Sequence, residues 1–354
     1  MSHAAAPAAP PAGPSAAGTE FDPARLDAFL RGAIPGLEGP MTLARISGGQ
    51  SNPTFFVTYA NRRLVLRKQP PGEILPSAHA VDREHRILTA LAGTAVPVPR
   101  ALLFHPGREV VGTPFYVMER VEGRVFDAAS LPGADAGERR AMVMRFAETL
   151  AALHDVDWRA AGLEGYGRPE GFFARQVARW VRQWQAARGR DIPDLARLAE
   201  WLPAHMPEDD GQCTIVHGDY RLGNVMFANG APDVVAVLDW ELSTIGHPLS
   251  DVAFAAIAWR SRPEEYGGIL GLDWNGLGMP TEAEFVGHYL ASRRTRCAPP
   301  QPFHFAFAMF RFAVIFEGIA GRARAGNAAG ADAARVGDLS IAFARHGAAI
   351  IEAA

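Results

Sequence analysis

Cysteine is nearly missing from this chain: Cys213 and Cys297 are the only two among 354 residues. Two thiols exclude a disulfide framework and a cysteine-based zinc site, and they point to a reducing cytoplasm. No uninterrupted apolar run reaches the ~18 residues that a membrane helix needs. The richest stretch, FAFAMFRFAVIF (305–316), is broken by Arg311 and is predicted to be a core helix. A net charge of -3 gives no excess of either sign to draw the chain to nucleic acid or to an anionic membrane. Residues 1–20 are rich in Ala and Pro and lack both a basic n-region and an apolar h-region. They are predicted to be a disordered tail, not a signal peptide.

Apolar residues make up 48% of the chain and charged residues 21%, the balance of a soluble globular protein. The length suits two domains or one bilobal domain. A short helix is predicted over 21–34. Two β-rich runs, Thr54–Tyr59 and Arg63–Arg67, follow a small-residue loop, Ser47-Gly48-Gly49-Gln50-Ser51-Asn52. Helical periodicity covers 77–91, and FYVMERV (115–121) reads as a strand. Beyond Gly123 the pattern is mostly helical, over 138–154 and 171–187, with strands returning around 213–239.

Those later strands frame IVHGDYRLGNVMF (215–227) and VVAVLD (234–239). A hairpin centred in NGAPD (229–233) places Asn224 opposite Asp239, roughly 5 Å apart at Cα. A carboxylate and a carboxamide oxygen converging there suit Mg²⁺. Asp219, on the loop above, is left to accept a proton from a hydroxyl. That division of roles is the one phosphoryl transfer needs.

On the predicted helix 77–91, Val81, Glu84, Leu88 and Leu91 share one face. Glu84 therefore lies on the apolar stripe, where a bare carboxylate is costly. Its cationic partner is expected at the end of the preceding strand, in Arg67 or Lys68, which point to opposite faces. The paired cation would reach phosphate oxygens. The Gly48-Gly49 loop, running through Gln50, Ser51 and Asn52, would let backbone amides approach a nucleotide, although GxGxxG spacing is absent.

Together these residues resemble the aminoglycoside phosphotransferase family of small-molecule kinases. HGDYRLGN matches the family's H-G-D-x-x-x-x-N loop, VLDWE its Asp-bearing metal strand, and VDREHRIL its helix with the ion-paired Glu. LRKQPPGEILPSAHAVDRE and LDWELSTIGHPLSDVAF look most like the branch found fused to acyl-CoA dehydrogenases. The resemblance implies an α+β, bilobal protein-kinase-like fold. Its small antiparallel-sheet N-lobe would span 21–121 and its larger, mainly helical C-lobe 122–354.

By the same resemblance, Asp219 is the catalytic base, Asn224 and Asp239 hold Mg²⁺, and ATP is the donor. The backbone of Glu119 and Val121 would bind adenine. His217, Arg221 and Asp251 would support the loop, and Trp180, Trp184 and Glu241 would line the acceptor pocket. Only residues 240–250 separate Asp239 from Asp251, and no H-R-D, D-F-G or A-P-E triplet is present. That leaves no peptide platform, so the partner is a small hydroxylated molecule. Arg293, Arg294, Arg296, Arg311, Arg322 and Arg324 make the C-terminal third basic, which would suit an anionic acceptor such as a hydroxyacyl-CoA. Alternatives are an aminoglycoside or amino-alcohol kinase, a nucleotide-binding regulatory module without transfer activity, and transfer of AMP. Oligomeric state, a monomer or a dimer, is left open.

Overall fold

The computed structural model describes residues 20–46, 52–72, 79–187, 189–324 and 333–354. The chain divides into two compact units. The first holds the described residues up to Ala92 together with Pro99–Val121; the second holds Gly93–Val98 and Glu122–Ala354. Gly93–Val98 sits with the second unit because the Pro97 carbonyl accepts from the Val237 amide at 2.8 Å.

The first unit starts with helix α1 (Pro23–Ala33), capped by Asp22, whose side chain accepts from the Ala24 amide. Strands β1 (Thr42–Arg45), β2 (Thr54–Thr58) and β3 (Arg63–Lys68) follow, then α2 (Val81–Leu91), β4 (Ala101–His105) and β5 (Phe115–Glu119). The strands make one antiparallel sheet in the order β1-β2-β3-β5-β4. Alternation along β3 sends Leu64 and Leu66 into a core shared with Leu26 and Leu30 of α1, Phe55, Phe115 and Val117. Val81, Glu84, Leu88 and Leu91, the stripe expected on α2, are all buried.

The second unit is mainly helical. It contains α3 (Ala136–His154), α4 (Phe172–Ala187) and α5 (Pro193–Ala204). Two short antiparallel ribbons come next: β6 (Thr214–Val216) with β9 (Thr244–Gly246), and β7 (Val225–Phe227) with β8 (Val234–Val237). The remaining helices are α6 (Leu249–Ala255), α7 (Ile257–Arg260), α8 (Pro263–Tyr266), α9 (Trp274–Leu277), α10 (Glu282–Ser292), α11 (Pro302–Arg324) and α12 (Ala333–Glu352). Among the described residues only α11 is long and apolar enough to cross a membrane, and 78% of its apolar window is buried inside the fold. It packs against α12, α4, α5 and α6, as a core helix does.

The β7–β8 register differs from the expected one. Val225 faces Val237 and Met226 faces Ala236, so Asn224 is aligned with Leu238, not Asp239. Two local features set this. Gly230, at φ 73°, moves the turn toward β7, and the Ala228 amide closes it on the Asp233 carbonyl at 2.8 Å. A register shift between Met226 and Phe227 then inserts an extra β8 residue.

Phe115 is completely buried in the first unit, against Phe29 and His105. Phe115→Ala is expected to destabilise this unit by about 3–5 kcal/mol in chemical denaturation. A loss below about 1 kcal/mol would mean that the sheet is not anchored there.

Candidate active site

In the first unit the buried Glu84 is a hub. Its carboxylate, 1% exposed, lies 3.1 Å from Arg67 Nε and accepts from Asn52 Nδ2 at 2.6 Å and Tyr116 Oη at 3.1 Å. His79 Nδ1–H donates in turn to Asn52 Oδ1 at 3.1 Å. Arg67 and Tyr116 are direct cross-strand partners on β3 and β5, which explains why both reach one carboxylate. Lys68 is on the other face of the strand, 2% exposed, with Nζ 3.4 Å from Glu20 Oε2 and over the Phe21 ring. Arg67 is therefore the cation that Glu84 holds.

Asn52 is committed to Glu84 by its side chain. Gly48, Gly49, Gln50 and Ser51 lie outside the described residues. The Glu119 amide donates to the Arg100 carbonyl at 2.9 Å, and its carboxylate faces Arg62 at 3.4 Å. Val121 follows Arg120, whose amide donates to the Arg63 carbonyl at 3.0 Å.

In the second unit, the loop from His217 to Asn224 leaves β6 and enters β7. Asp251, completely buried at the start of α6, fixes its entrance. Its Oδ2 accepts from the His217 amide at 2.6 Å and its Oδ1 from the Gly218 amide at 2.9 Å. Gly218 has φ 82°, and a Cβ there would lie 2.6 Å from the Leu242 carbonyl oxygen, so glycine is required twice over. His217 Nδ1 accepts from the Asp219 amide at 3.1 Å while Nε2–H donates to the Leu238 carbonyl at 2.9 Å. These partners fix the neutral tautomer with its proton on Nε2.

Behind Asp251 runs a buried relay. Arg293, paired with Asp155 at 2.9 Å, donates to Tyr289 Oη at 2.8 Å; Tyr289 contacts His154 Nδ1 at 2.7 Å; His154 Nε2 lies 3.3 Å from Asp251 Oδ2. Burial pushes the Asp251 carboxyl up, but the hydrogen bonds it accepts from His154 and the Gly218 amide outweigh it. The carboxyl is held below its usual value.

Asn224 Nδ2 donates to Asp219 twice, to Oδ2 at 2.6 Å and to the carbonyl at 2.9 Å. Both partners are acceptors, so the amide nitrogen faces Asp219 and Oδ1 faces away. The Leu238 amide donates to the Asn224 carbonyl at 2.8 Å, which holds the next residue, Asp239, beside Asn224. Asp239 is left-handed, at φ 64° and ψ 65°, a strained conformation for a residue with a Cβ. Two hard oxygen donors, the Asp239 carboxylate and Asn224 Oδ1, fit Mg²⁺, which usually takes one or two carboxylates and completes its shell with phosphate and water. Among the described residues no group of three His, Cys, Asp or Glu side chains gathers as a closed metal cage.

Asp219 keeps 23% of its side-chain exposure. Burial raises its pKa, and the charges of Arg221 and Arg311 with the Asn224 hydrogen bond pull it back only in part. A raised carboxyl is a better proton acceptor while its exposed edge stays reachable.

Arg311 is the residue that sequence reasoning missed. From the middle of α11 its Nη2 donates to the Gly218 carbonyl at 2.5 Å, with the guanidinium 5.5 Å from the Trp180 ring and 5.1 Å from Phe254. A lone charge inside an apolar run was the available signal. Trp180 and Trp184 share a buried face with Phe173 and Val177. Both rings are buried there, with the Arg311 guanidinium over Trp180. Glu241 lies in the short turn after Asp239.

Some arginines of the basic C-terminal third have partners within the fold. Arg293 and Arg294 meet Asp155, Arg324 meets Glu317, and Arg311 meets Gly218. Arg294, Arg296, Arg322 and Arg324 remain exposed. Of the six arginines expected to favour an anionic acceptor, Arg293 and Arg311 are thus internal structure and the other four stay at the surface.

An antiparallel sheet unit with a buried Arg–Glu pair and a helical unit with an Asp-Asn-Asp loop define a kinase-like phosphotransferase fold. The sequence model of the phosphotransferase enzyme family, APH, matches residues 42–285, and the chain belongs to that family. A Ralstonia eutropha protein classed with the aminoglycoside phosphotransferases superposes with TM-score 0.86 at 39% identity, covering 94% of this chain and 99% of that one. Aminoglycoside phosphotransferase APH(4)-Ia, in complex with AMP-PNP and hygromycin B, shares the fold at TM-score 0.59 and 18% identity, over 90% of this chain and 97% of its own. Acyl-CoA dehydrogenase family member 10 of Mus musculus is 39% identical over 323 residues, 90% of this chain; the match spans 30% of that relative's length.

Burial holds His154 below its ordinary pKa. The unfolded chain takes up a proton near pH 6.5 that the folded chain refuses, so the unfolded state binds more protons and stability falls as pH drops below about 6.5. His85, His247 and His304 are lowered in the same direction. His154→Gln is therefore expected to flatten the slope of stability between pH 6.5 and 5 by up to about 1.4 kcal/mol per pH unit. Parallel slopes in urea denaturation would contradict the buried neutral histidine.

Proposed function

We propose that the chain transfers the γ-phosphoryl group of ATP to a hydroxyl of a small molecule. One observation carries this reading. The Asn224 amide nitrogen is held by the Asp219 carboxylate at 2.6 Å, and the Asn224 backbone carbonyl holds Leu238, the residue before Asp239. That arrangement supports Asp219 as the base and Asn224 with Asp239 as the metal pair.

Asp219 orients the acceptor hydroxyl and takes its proton as the oxygen bonds to the γ-phosphorus. The bond from that phosphorus to the β–γ bridging oxygen breaks, and ADP leaves with the electron pair. Asn224 Oδ1 and the Asp239 carboxylate would hold Mg²⁺, which would supply charge neutralisation on the phosphates. Arg67, kept extended by Glu84, steadies phosphate oxygens, and the Glu119–Val121 backbone receives adenine. Positioning and fixed charge supply most of the acceleration, because such a transition state asks little covalent work of the protein.

For the acceptor we propose a hydroxyacyl-CoA, supported by the dehydrogenase named in the longer relative. An aminoglycoside or amino alcohol is the competing class, and the site's cationic neighbours Arg221 and Arg311 speak against a polycation. A cytoplasmic setting is part of the same proposal.

Asp219→Asn is expected to abolish ADP release, on the order of 10³-fold or more, with nucleotide affinity retained. Near-wild-type turnover with a confirmed acceptor would sink the assignment. Asp239→Ala should weaken Mg-nucleotide binding in calorimetry, and an unchanged affinity would remove its metal role. Mass analysis of the product separates a gain of phosphate from a gain of AMP.

A further inference from the structure

A cavity of ≈ 490 Å³ opens in the helical unit, away from the loop that carries Asp219. The β6–β9 ribbon separates the two. Val216 pairs with Thr244 at the end where His217 follows, and Thr214 pairs with Gly246 at the end where His247 enters the cavity wall. That ribbon is roughly 10 Å long. Three helices begin around the cavity: α4 at Phe172, α6 at Leu249 and α11 at Pro302. At each start a protein side chain takes an amide. Asp209 Oδ2 accepts from Gly171 at 3.2 Å, His247 Nδ1 from Leu249 at 3.3 Å and His304 Nδ1 from Gln301 at 3.0 Å. The fold thus supplies its own caps where an anion would otherwise be drawn.

Among the lining groups His304 stands apart. It is 3% exposed, its ring lies 5.1 Å from that of Phe173, and burial holds its pKa down to about 4. It is therefore neutral at pH 7, and because Nδ1 accepts, its proton is on Nε2. Nε2 has no partner among the described residues, whereas the Nε2–H of His247 donates to Asp210 Oδ1 at 3.0 Å. A desolvated N–H without an acceptor is costly, so His304 calls for an oxygen from whatever fills the cavity. The walls are mostly apolar, with Phe172, Phe173, Pro207 and Leu249, and the charged side chains lining them are Glu208, Asp209 and Asp210. Three carboxylates with no Lys or Arg among the lining residues oppose a phosphate or a carboxylate. Asp209 and Asp210 are already bonded to Gly171 and His247, and Glu208 is exposed, so no idle buried carboxylate waits for a cation. The volume is that of a small-molecule site.

We propose that this cavity is a second ligand site, for an uncharged molecule with an apolar ring body and one acceptor oxygen. The oxygen takes the Nε2–H of His304, and the body packs on Phe173. The site is separate from the loop at Asp219 and binds its ligand without reaction.

The test follows binding of benzophenone to the full chain by ligand-observed NMR. Diphenylmethane, which lacks the oxygen, and 4-benzoylbenzoate, which adds a carboxylate, share its two rings. Wild type is expected to bind benzophenone saturably, and ~10-fold more tightly than either control. His304→Phe keeps a ring and removes the N–H; it should weaken benzophenone ~10-fold and leave diphenylmethane unchanged. His304→Gln, with an oxygen for the Gln301 amide and an N–H for the ligand, should recover part of that loss. Ala174→Trp fills the cavity from an exposed position on its wall and should abolish benzophenone binding. That variant judges the site even where a change at His304 disturbs folding. The proposal is overturned if wild type shows no saturable binding, or binds either control as tightly as benzophenone. Unchanged binding in Ala174→Trp would overturn it as well. None of these measurements uses turnover, so their outcome is independent of the kinase reading.

Discussion

The second unit is organised around the two hydrogen bonds that Asp251 accepts from the amides of His217 and Gly218. A buried carboxylate with two backbone donors fixes the loop at its entrance, and the turn that follows leaves room only for glycine. From there the constraints run in sequence. His217 is oriented by the Asp219 amide and the Leu238 carbonyl, so the base loop and the strand leading to Asp239 share one imidazole. Arg311 ties the Gly218 carbonyl to the helical core. The relay through His154, Tyr289, Arg293 and Asp155 keeps the anchoring carboxylate satisfied from behind.

The first unit uses the same device. Glu84 collects Arg67, Asn52 and Tyr116, each from a different part of the sequence. An isolated buried carboxylate would be strongly unfavourable, but three donors on two oxygens make it a fixed point. Removing any donor leaves the rest short of a partner. Such clusters specify one arrangement more than they add net stability.

Glu84 was legible because a charged residue on an apolar helical stripe stands out at sequence level. The loop from His217 to Asn224 was legible for a similar reason, as polar residues between two apolar strands. Strand alternation kept Arg67 and Lys68 on separate faces but could not say which face met α2; that depended on Tyr116, from a strand far along the chain. The β7–β8 register was misread by one residue because the glycine that centres the turn and the compensating irregularity are both local backbone events. Trp180 and Trp184 have the same periodicity whether they face a pocket or a core. That Arg293 turns inward was not legible because its partner, Asp155, lies far away in sequence.

Asn224 turns the nitrogen of its amide to the Asp219 carboxylate and leaves the oxygen facing away. An aspartate at this position would have nearly the same shape but no donor, and it would set a second negative charge 2.6 Å from Asp219 Oδ2. Like charges at that distance do not both stay ionised; one takes a proton. The neutral amide therefore does more than save a ligand. It keeps the negative charges of this loop apart, so that the proton site beside Asp219 stays vacant for the acceptor.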